Sequence, residues 1–391
     1  MSDQPRRAEI TLADWRVHPN SRYSFQHASE FVPVAIAAWP AGEEEPSPGP
    51  AALADMVLAD RGGGTIGALA HMRRSHADHV VAMRDGAVIA EWLSETADPS
   101  RPHLLFSISK SVTGLLAGIA AGEGRLDVDA PASAYVPSMA GSTYGTARVR
   151  DLLDMTVDLD FDEEYLDAGG AFDRYRRAML WNPERPDSAP ETMEGFLATL
   201  GGKGEGHGRR FHYASPNTDL LGLVVERAVG VRYHRYLADR LLAPMGARGA
   251  AYVTVDRAGT ARAAGGICLT TRDLARLGQL VLDGGRSRTG GQVVPQGWID
   301  DMRRNGSRQA WVDGNFADMF PAGRYRSCWY DVGDGRGSIA AVGIHGQWLW
   351  TDPVSRIVIA KTASRPDPSD DAATALEILM LGQIASALGA S

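Results

Sequence analysis

Lysine is almost missing from this chain: its 391 residues contain three lysines against 37 arginines. Arginine therefore carries most of the positive surface charge, so a lysine at a given position suggests a role that arginine cannot fill. Cysteine is just as scarce, because Cys268 and Cys328 are the only two and cannot form a framework of disulfides. Reduced thiols are typical of the cytoplasm, so we expect a cytoplasmic protein.

Three further features are missing, and each excludes a class of protein. The net charge is -8, the pI is near 5.7 and no basic stripe carries interleaved aromatics, so we expect no nucleic-acid partner. The first residues, MSDQPRRAEITLADW, lack the apolar segment of a signal peptide, and no run approaches the ~20 apolar residues of a membrane span. His71, His76 and His79 lack the spacing of metal ligands, so we interpret them as surface histidines and expect no metal.

The composition that remains is that of a folded globular protein, with 44% apolar and 23% charged residues. An acidic, proline-rich stretch at 41–52 indicates an exposed linker. Apolar runs at 79–84 and 87–92 flank Asp85-Gly86 and predict a β-hairpin. The later pattern predicts two amphipathic helices, three strands and a final helix, in this order: 217–230, 271–283, 338–344, 347–351, 356–363 and 371–388.

Strands at both ends of the chain with a helical middle predict an α+β fold. In this fold one antiparallel sheet is built from N- and C-terminal segments, is covered by helices and carries an inserted, mostly helical domain. We expect an N-terminal arm and linker at 1–52, an α/β domain at 53–150 and 285–391, and a helical domain at 151–284. The junction of the two domains is where a pocket is expected.

The best clue to function is Ser107-Ile108-Ser109-Lys110, at the start of a predicted helix that ends near 122–124. Residues i and i+3 share a helix face, so the Ser107 hydroxyl and the Lys110 amine come within hydrogen-bonding reach. A serine hydroxyl needs a base to act as a nucleophile, and burial lowers a lysine pKa from about 10.4 toward neutrality. The alternative is a buried helix in which Ser107 caps the first turn and Lys110 extends to water.

Two further segments carry groups that can complete such a site. Tyr213 lies in a polar loop before a helix, where a phenol near a lysine can share its proton; the alternative is that Tyr213 merely packs. Gly343-Ile344-His345-Gly346-Gln347 lies at a predicted strand end, where the Ile344 N–H can serve with the Ser107 N–H as an oxyanion donor. The alternative here is a plain hairpin turn.

Two other lysine-containing motifs are interpreted as structural. The glycine-rich stretch 201–206 contains Lys203 but no following serine or threonine, so it predicts a flexible loop and not a phosphate site. Lys361-Thr362-Ala363 imitates a Lys-Thr-Gly triad but lies at the end of a strand that comes after the better-placed His345-Gly346.

Taken together, Ser107-x-x-Lys110, Tyr213 and the glycine-containing strand end resemble the penicillin-recognising serine hydrolases. The closest resemblance is to the 6-aminohexanoate-dimer hydrolases, the nylon-oligomer branch with a class C β-lactamase-like fold. It covers nearly the whole chain, including 103–105, 124–127, 135–137, 215–219, 271–276, 343–347 and 350–353. The resemblance implies a β-lactamase/transpeptidase-like fold and acyl-enzyme chemistry that needs no metal or organic cofactor.

The resemblance also implies a role for each residue of the site. Ser107 is expected to be the nucleophile, Lys110 its base and Tyr213 the proton relay to the leaving group. The N–H groups of Ser107 and Ile344 are expected to form the oxyanion hole. Tyr165 matches a family tyrosine that contacts the leaving amide nitrogen when a loop closes; the alternative is an ordinary exposed loop aromatic.

Four further positions are expected to contact substrate, with departures from the family pattern. Tyr330 stands where the family has the second residue of a Trp-Trp pair, and Ala264 where it has asparagine or histidine. The neutral His345 segment replaces the Lys-Thr-Gly that supplies a cation for substrate carboxylates in β-lactamases. The acidic residue that recognises a substrate amine falls around Asp173, beside two arginines that would repel a cation.

Three functions fit these features. The first is a serine hydrolase that acts through an acyl-enzyme on small carboxylic esters and, with help from Tyr165, on linear amides of the 6-aminohexanoate-dimer type. The second is a β-lactamase or D-alanyl-D-alanine carboxypeptidase, which Tyr213-Ala214-Ser215 disfavours because those enzymes usually carry Tyr-x-Asn. The third is a catalytically silent binding relative. The expected partner is a small ester or amide, and the oligomeric state stays open, with a homodimer as one option.

Overall fold

The computed structural model describes residues 7–165 and 169–390, so the first six residues of the predicted N-terminal arm lie outside it. Within those ranges the strands, in chain order, are β1 (Val34–Ala37), β2 (Val57–Ala59), β3 (Thr65–Gly67), β4 (Ala77–Arg84), β5 (Ala87–Leu93), β6 (His103–Leu104), β7 (Ala251–Thr254), β8 (Ile267–Leu269), β9 (Arg324–Arg326), β10 (Trp329–Asp331), β11 (Ile339–Gly343), β12 (Gln347–Asp352) and β13 (Ile357–Ala363).

The helices of the same ranges are α1 (Ser21–Ser24), α2 (Ala51–Ala54), α3 (Ala68–Arg74), α4 (Ile108–Gly122), α5 (Val149–Leu153), α6 (Ala171–Ala178), α7 (Met193–Leu197), α8 (Ser215–Val229), α9 (Tyr233–Leu237), α10 (Ala243–Met245), α11 (Thr271–Leu282), α12 (Gln296–Arg304), α13 (Arg308–Val312) and α14 (Asp371–Ala390). The long predicted helices and strands therefore occur within a few residues of their predicted ends.

The largest sheet is antiparallel and has seven strands, in the order β5-β4-β13-β12-β11-β10-β9. Strand β13 of the C-terminal segment pairs with β4 of the N-terminal segment, with Lys361 opposite Val80. The β4–β5 hairpin turns at Asp85 and Gly86, whose φ angles of 48° and 79° suit a type I′ turn. The predicted α+β fold, with one sheet built from both ends of the chain, is confirmed.

Helices cover this sheet closely. Helix α11 packs on β4, β12 and β13, α4 contacts β11 and β12, and α14 contacts β12 and β13. A Cβ atom at Gly278 would lie 2.5 Å from Val358 and 2.7 Å from Leu349, so the missing side chain sets how closely α11 approaches the sheet. Strands β12 and β13 are buried along their whole length, which makes them the centre of the core.

A second sheet, in the order β1-β7-β8-β6, is a feature that the sequence patterns do not predict. Its strands are two to four residues long, too short for a clear alternation of apolar and polar residues. Leu104 of β6 pairs with Cys268 of β8, and β6 leads directly into the segment that starts α4. This sheet therefore anchors the start of the helix that carries Lys110.

The division into domains stays a prediction. Strand β1 of the predicted arm pairs with β7 of the predicted helical segment, with Val34 opposite Thr254. Helix α11, from the same segment, lies on the seven-stranded sheet. Contacts therefore cross the boundaries expected at 52–53 and 284–285.

The interpretation of three histidines as surface residues is wrong for two of them. His79 is buried, with Nε2 2.8 Å from a carboxylate oxygen of Glu91, and His71 is buried with Nε2 3.3 Å from Glu377. His76 is exposed, as predicted. Carboxylates from distant parts of the chain make burial of the two histidines favourable. Among the described residues no group of three histidine, cysteine, aspartate or glutamate side chains could hold a metal ion.

The two lysine-containing motifs have internal partners. Lys361 is buried and donates hydrogen bonds to Glu377 of α14 at 2.6 Å and to Ser75 at 2.8 Å. In the glycine-rich loop, the backbone N–H groups of residues 203–206 all donate to the carboxylate of Asp158. An internal carboxylate thus fills this concave loop, and Lys361 ties the last helix to the sheet.

Helix α14 is the one helix of the described part that is long and apolar enough, by length and composition, to cross a membrane. It packs on β12, β13 and β2 and buries Met380, Leu381 and Ile384 against them. One face of this helix thus packs against the sheets, and 33% of its apolar stretch is buried. Both cysteines are free and buried, as expected.

Candidate active site

The start of α4 is held in an unusual backbone conformation. Phe106, the residue before Ser107, has a φ of 47°, a left-handed conformation that costs a residue with a side chain about 1–3 kcal/mol. Its ring packs 4.8 Å from Phe25 and 5.2 Å from His345, measured between ring centroids. This packing offsets the strain and fixes the turn that presents Ser107 at the N-terminus of the helix.

Ser107 and Lys110 are in direct contact. Lys110 Nζ lies 2.8 Å from Ser107 Oγ and 2.9 Å from the carbonyl oxygen of Ala264. Burial lowers the pKa of Lys110 to about 8, although the nearby Glu163 carboxylate acts in the opposite direction. A substantial fraction of the lysine is therefore neutral near pH 8 and able to accept the serine proton.

The alternative interpretation of this helix is not what the structure shows. The Ser107 side chain makes no capping hydrogen bond to α4, although the residue occupies the capping position. The Lys110 side chain does not reach water, because the residue is only 1% exposed. Both polar groups instead point to each other.

Tyr213 completes a group of three with Ser107 and Lys110. Lys110 Nζ lies 4.8 Å from the centre of the Tyr213 ring, and the Ser107 side chain is close enough to the Tyr213 phenol to lower its pKa. Burial, together with Tyr330 and other nearby acidic groups, raises the pKa of Tyr213 well above 10. The phenol is therefore protonated at neutral pH and can pass a proton to a group bound at Ser107. Its ring also stacks on Phe316, with centroids 4.8 Å apart.

The predicted oxyanion donors lie on two segments that approach each other closely. Ile344 begins a 3-10 turn after β11, and the next residue, His345, has a φ of 62°. A Cβ atom at Gly343 would lie 2.6 Å from the carbonyl oxygen of Leu105, so glycine permits the approach of this turn to the Ser107 segment. Within residues 7–165 and 169–390, the N–H groups of Ser107 and Ile344 donate to no other group of the chain.

A small cavity of about 30 Å³ lies beside Ser107. It brings together Ser107, Tyr165, Ala264 and Ile344, all predicted from the sequence. Such a volume holds about one water molecule, so a lining segment must move when an ester enters. Six further lining residues with charged or hydrogen-bonding side chains were not assigned to the site from the sequence: Arg16, Glu163, Arg176, Trp181, Ser215 and Arg262.

Glu163 is a missed residue that contacts the predicted Tyr165. One of its carboxylate oxygens accepts from the Ser215 N–H, and the other accepts from the Tyr165 hydroxyl at 2.7 Å. Burial and this carboxylate raise the pKa of Tyr165 well above 10. Glu163 lies two residues before Tyr165, and its position next to a predicted site residue was the available signal.

The sequence profile of the family described as Beta-lactamase matches residues 63–382. The chain belongs to this Beta-lactamase family. It is also 38% identical over 364 residues to the 6-aminohexanoate-dimer hydrolase of Paenarthrobacter ureafaciens, and the alignment covers 92% of this chain and 89% of that relative. The predicted resemblance is confirmed, and the protein is a serine hydrolase with the Beta-lactamase fold.

Solved structures of this family agree with the fold. A candidate 6-aminohexanoate-dimer hydrolase from Bacillus anthracis superimposes with a TM-score of 0.88 at 22% identity, over 97% of this chain and 98% of that one. EstCE1, a hydrolase with promiscuous acyltransferase activity, gives 0.61 at 16% identity over 81% and 95%. A family VIII carboxylesterase gives 0.55 at 12% identity over 81% and 95%. At these identities the likeness shows the fold.

Two predicted substrate-binding residues, Tyr330 and His345, do not line the cavity beside Ser107. Tyr330 of β10 is buried, with its ring centroid 4.8 Å from that of Tyr325. His345 is buried with Nδ1 2.7 Å from the carbonyl oxygen of Arg365, and burial lowers its pKa to about 3. His345 is therefore neutral and acts through packing against Phe106.

Asp173 is not part of the cavity wall either. Its carboxylate forms ion pairs with Arg177 at 3.1 Å and Arg185 at 2.9 Å, and it accepts a hydrogen bond from Asn182 at 2.8 Å. Two guanidinium groups already use this carboxylate, which leaves little to attract a substrate amine. In the described part of the chain, the carboxylate that does line the cavity is Glu163.

Proposed function

We propose that the protein hydrolyses small carboxylic esters, and linear amides of the 6-aminohexanoate-dimer type, through an acyl-enzyme on Ser107. One observation carries the proposal: Lys110 is buried, has a pKa lowered to about 8 and lies 2.8 Å from the Ser107 hydroxyl. A serine beside an uncharged amine in a dry site is an activated nucleophile.

Acylation follows from the geometry. Neutral Lys110 accepts the Ser107 proton as Oγ attacks the substrate carbonyl carbon. The negative charge that develops on the carbonyl oxygen is stabilised by the N–H groups of Ser107 and Ile344, which have no internal acceptor among the described residues. Tyr213 donates its proton to the departing oxygen or nitrogen, and protonated Lys110 returns a proton to Tyr213.

Deacylation uses the same groups in reverse. Water takes the place of the leaving group, Tyr213 passes its own proton to neutral Lys110 as it accepts the proton of the water, and the hydroxide adds to the acyl carbon. Collapse of this intermediate breaks the bond to Ser107 Oγ, which regains its proton from Lys110. The products are a carboxylic acid and the free enzyme, so the cycle needs no metal and no organic cofactor.

Esters are the better substrates in this scheme. An alkoxide leaves more readily than an amide nitrogen, which must be protonated before its bond to carbon breaks. Tyr165 lines the cavity and its hydroxyl donates a hydrogen bond to Glu163 at 2.7 Å, which supports a contact between Tyr165 and a leaving nitrogen. Amide cleavage therefore depends on Tyr165 more than ester cleavage does.

The 38% identity to a 6-aminohexanoate-dimer hydrolase supports the amide substrate, and EstCE1 and the carboxylesterase are solved structures of the same fold. The alternatives are a β-lactamase, a D-alanyl-D-alanine carboxypeptidase and a silent binding protein. A homodimer and a cytoplasmic location stay predictions.

The decisive experiment compares 4-nitrophenyl acetate, 4-nitrophenyl butyrate, the linear 6-aminohexanoate dimer and nitrocefin, each with wild type and Ser107→Ala. We expect cleavage of both esters, slower cleavage of the dimer, and loss of both activities in the variant. Preferential turnover of nitrocefin would move the protein to the β-lactamases. A fluorophosphonate probe that labels wild type and Ser107→Ala equally would exclude Ser107 as the nucleophile.

A further inference from the structure

The cavity beside Ser107 is lined by two arginines that form no ion pair with a carboxylate among the described residues. Arg16 comes from the N-terminal segment and Arg176 from α6, and both line the same small space. Neither guanidinium is within ion-pair distance of an aspartate or glutamate in the described ranges 7–165 and 169–390. Other arginines near the site, such as Arg262, Arg174 and Arg177, form ion pairs with carboxylates.

Among residues 7–165 and 169–390, the hydrogen-bond partners of Arg16 are neutral. Its Nη2 donates to the carbonyl oxygen of Trp181 at 3.4 Å and to the side-chain oxygen of Asn182, while its Nε is buried and has no partner. The guanidinium also lies over the rings of Trp15 and Trp181, 5.6 and 5.7 Å from their centroids. A buried donor without an acceptor is costly unless a ligand supplies one.

Arg176 is held in a similar way. Its Nη1 donates to the carbonyl oxygen of Tyr165 at 2.9 Å, and its guanidinium lies 4.2 Å from the centre of the Phe172 ring. These contacts fix the position of the guanidinium while its positive charge stays without an opposite charge in contact. The same backbone contact places it next to Tyr165, which the proposed mechanism uses.

The charges that line the cavity do not balance. The positive charge of Arg262 is cancelled by the ion pair with the fully buried Asp219. Glu163 is then the one carboxylate on the wall, in the described part of the chain, against both Arg16 and Arg176. Burial and the neighbouring arginines lower the pKa of Arg16 to about 9, as expected where positive charges are close together and under-compensated.

We infer that Arg16 and Arg176 bind a carboxylate of the substrate, so the preferred ester or amide carries a carboxylate group in addition to the bond that is cleaved. The inference rests on the proposed function, since it concerns the same cavity. A carboxylate accepts hydrogen bonds from two guanidinium groups and supplies the missing negative charge. A substrate with an ammonium group near this wall would be repelled.

Three 4-nitrophenyl esters of equal length test the inference. The half-ester of adipic acid is an anion, its methyl ester is the neutral analogue, and the ester of 5-(trimethylammonio)pentanoate places a cation at the same distance from the reacting carbonyl. A second pair, 4-acetoxybenzoate and its methyl ester, places the carboxylate on the leaving group instead. The readout is the ratio of kcat/KM for the anion to that for its neutral analogue, because general effects on the chemistry cancel within one variant.

We expect wild type to prefer the anion in at least one pair. That pair shows whether the carboxylate belongs to the acyl group or to the leaving group. In Arg176→Gln and in Arg16→Gln the ratio should fall about tenfold or more, mainly through KM, because a hydrogen bond to a charged group is lost. Arg176→Glu should favour the cation. If one variant fails to fold, the other carries the test.

Arg174→Gln is the matched control. Arg174 also lies on α6, but its guanidinium is paired with Glu191 at 2.5 Å and does not line the cavity, so the ratio should stay as in wild type. Equal ratios in wild type and both cavity variants would overturn the inference while Ser107-dependent ester cleavage still supports the proposed function. Absence of Ser107-dependent cleavage of every ester would overturn both.

Discussion

The carboxylate of Asp219 accepts a hydrogen bond from the Ala264 N–H at 2.8 Å, and the carbonyl oxygen of the same Ala264 accepts one from Lys110 at 2.9 Å. A buried carboxylate on α8 thereby positions the backbone group that holds the candidate base. Asp219 also pairs with Arg262 and accepts from the Tyr175 hydroxyl. The position of Lys110 thus depends on the ion pair between Asp219 and Arg262.

Asp219→Asn should destabilise the protein by about 3–5 kcal/mol, because it leaves Arg262 buried without its carboxylate. Urea denaturation followed by circular dichroism measures the change in the free energy of unfolding. The double variant Asp219→Asn/Arg262→Met removes the stranded charge and should recover part of the loss. Equal destabilisation of the single and double variants would contradict this explanation.

The rate of acylation should rise with pH through about pH 8. Lys110 acts as a base in its neutral form, and its pKa is lowered to about 8, so the neutral fraction grows as the pH increases through that value. The profile should not fall again below pH 10, because the pKa of Tyr213 is well above 10. The pH dependence of kcat/KM for 4-nitrophenyl acetate, corrected for spontaneous hydrolysis, measures both limbs. A rate that is independent of pH between 6 and 9 would rule out Lys110 as the titrating base.

Lys110→Arg should give a folded protein whose acylation is slowed by about 10³-fold or more, because a guanidinium does not accept the serine proton. Burst kinetics with 4-nitrophenyl butyrate measure the acylation rate. Lys203→Arg, the same change at an exposed lysine, is the control and should leave the rate unchanged. Acylation by Lys110→Arg at a rate near that of wild type would show that another group takes the proton.

Tyr165→Phe should lower amide turnover more than ester turnover. The variant keeps the ring that packs 5.3 Å from Phe172 but loses the hydroxyl bound to Glu163. The measurement is kcat/KM for the linear 6-aminohexanoate dimer and for 4-nitrophenyl butyrate, with Tyr135→Phe, at a tyrosine outside the cavity, as the control. Equal losses for the two substrates would contradict a role of Tyr165 at the leaving nitrogen.

The parts of the site that sequence reasoning predicted are those set by local geometry. Ser107 and Lys110 meet because residues three apart share a helix face, and that spacing is visible in the sequence. Five strands of the large sheet were predictable because β4, β5, β11, β12 and β13 are apolar runs with clear turns between them, whereas β9 and β10 have three residues each and were not predicted. Ile344 was predictable from the glycines on either side of the turn that carries it.

The parts that were missed depend on contacts between distant segments. Arg16 reaches the cavity from the N-terminal segment, and no pattern in its neighbourhood indicates this. The pairing of Asp219 with Arg262 is equally invisible in the sequence, and it decides which arginine of the site is neutralised. His71 was misjudged for the same reason, since its partner Glu377 lies on the last helix of the chain.

The most direct test of the central claim is intact-protein mass spectrometry of the enzyme quenched in acid during turnover of 4-nitrophenyl butyrate. The account predicts a species heavier by one butyryl group, placed on Ser107 by peptide mapping and absent from Ser107→Ala. A butyryl group on any other residue, or full turnover by Ser107→Ala, would contradict it.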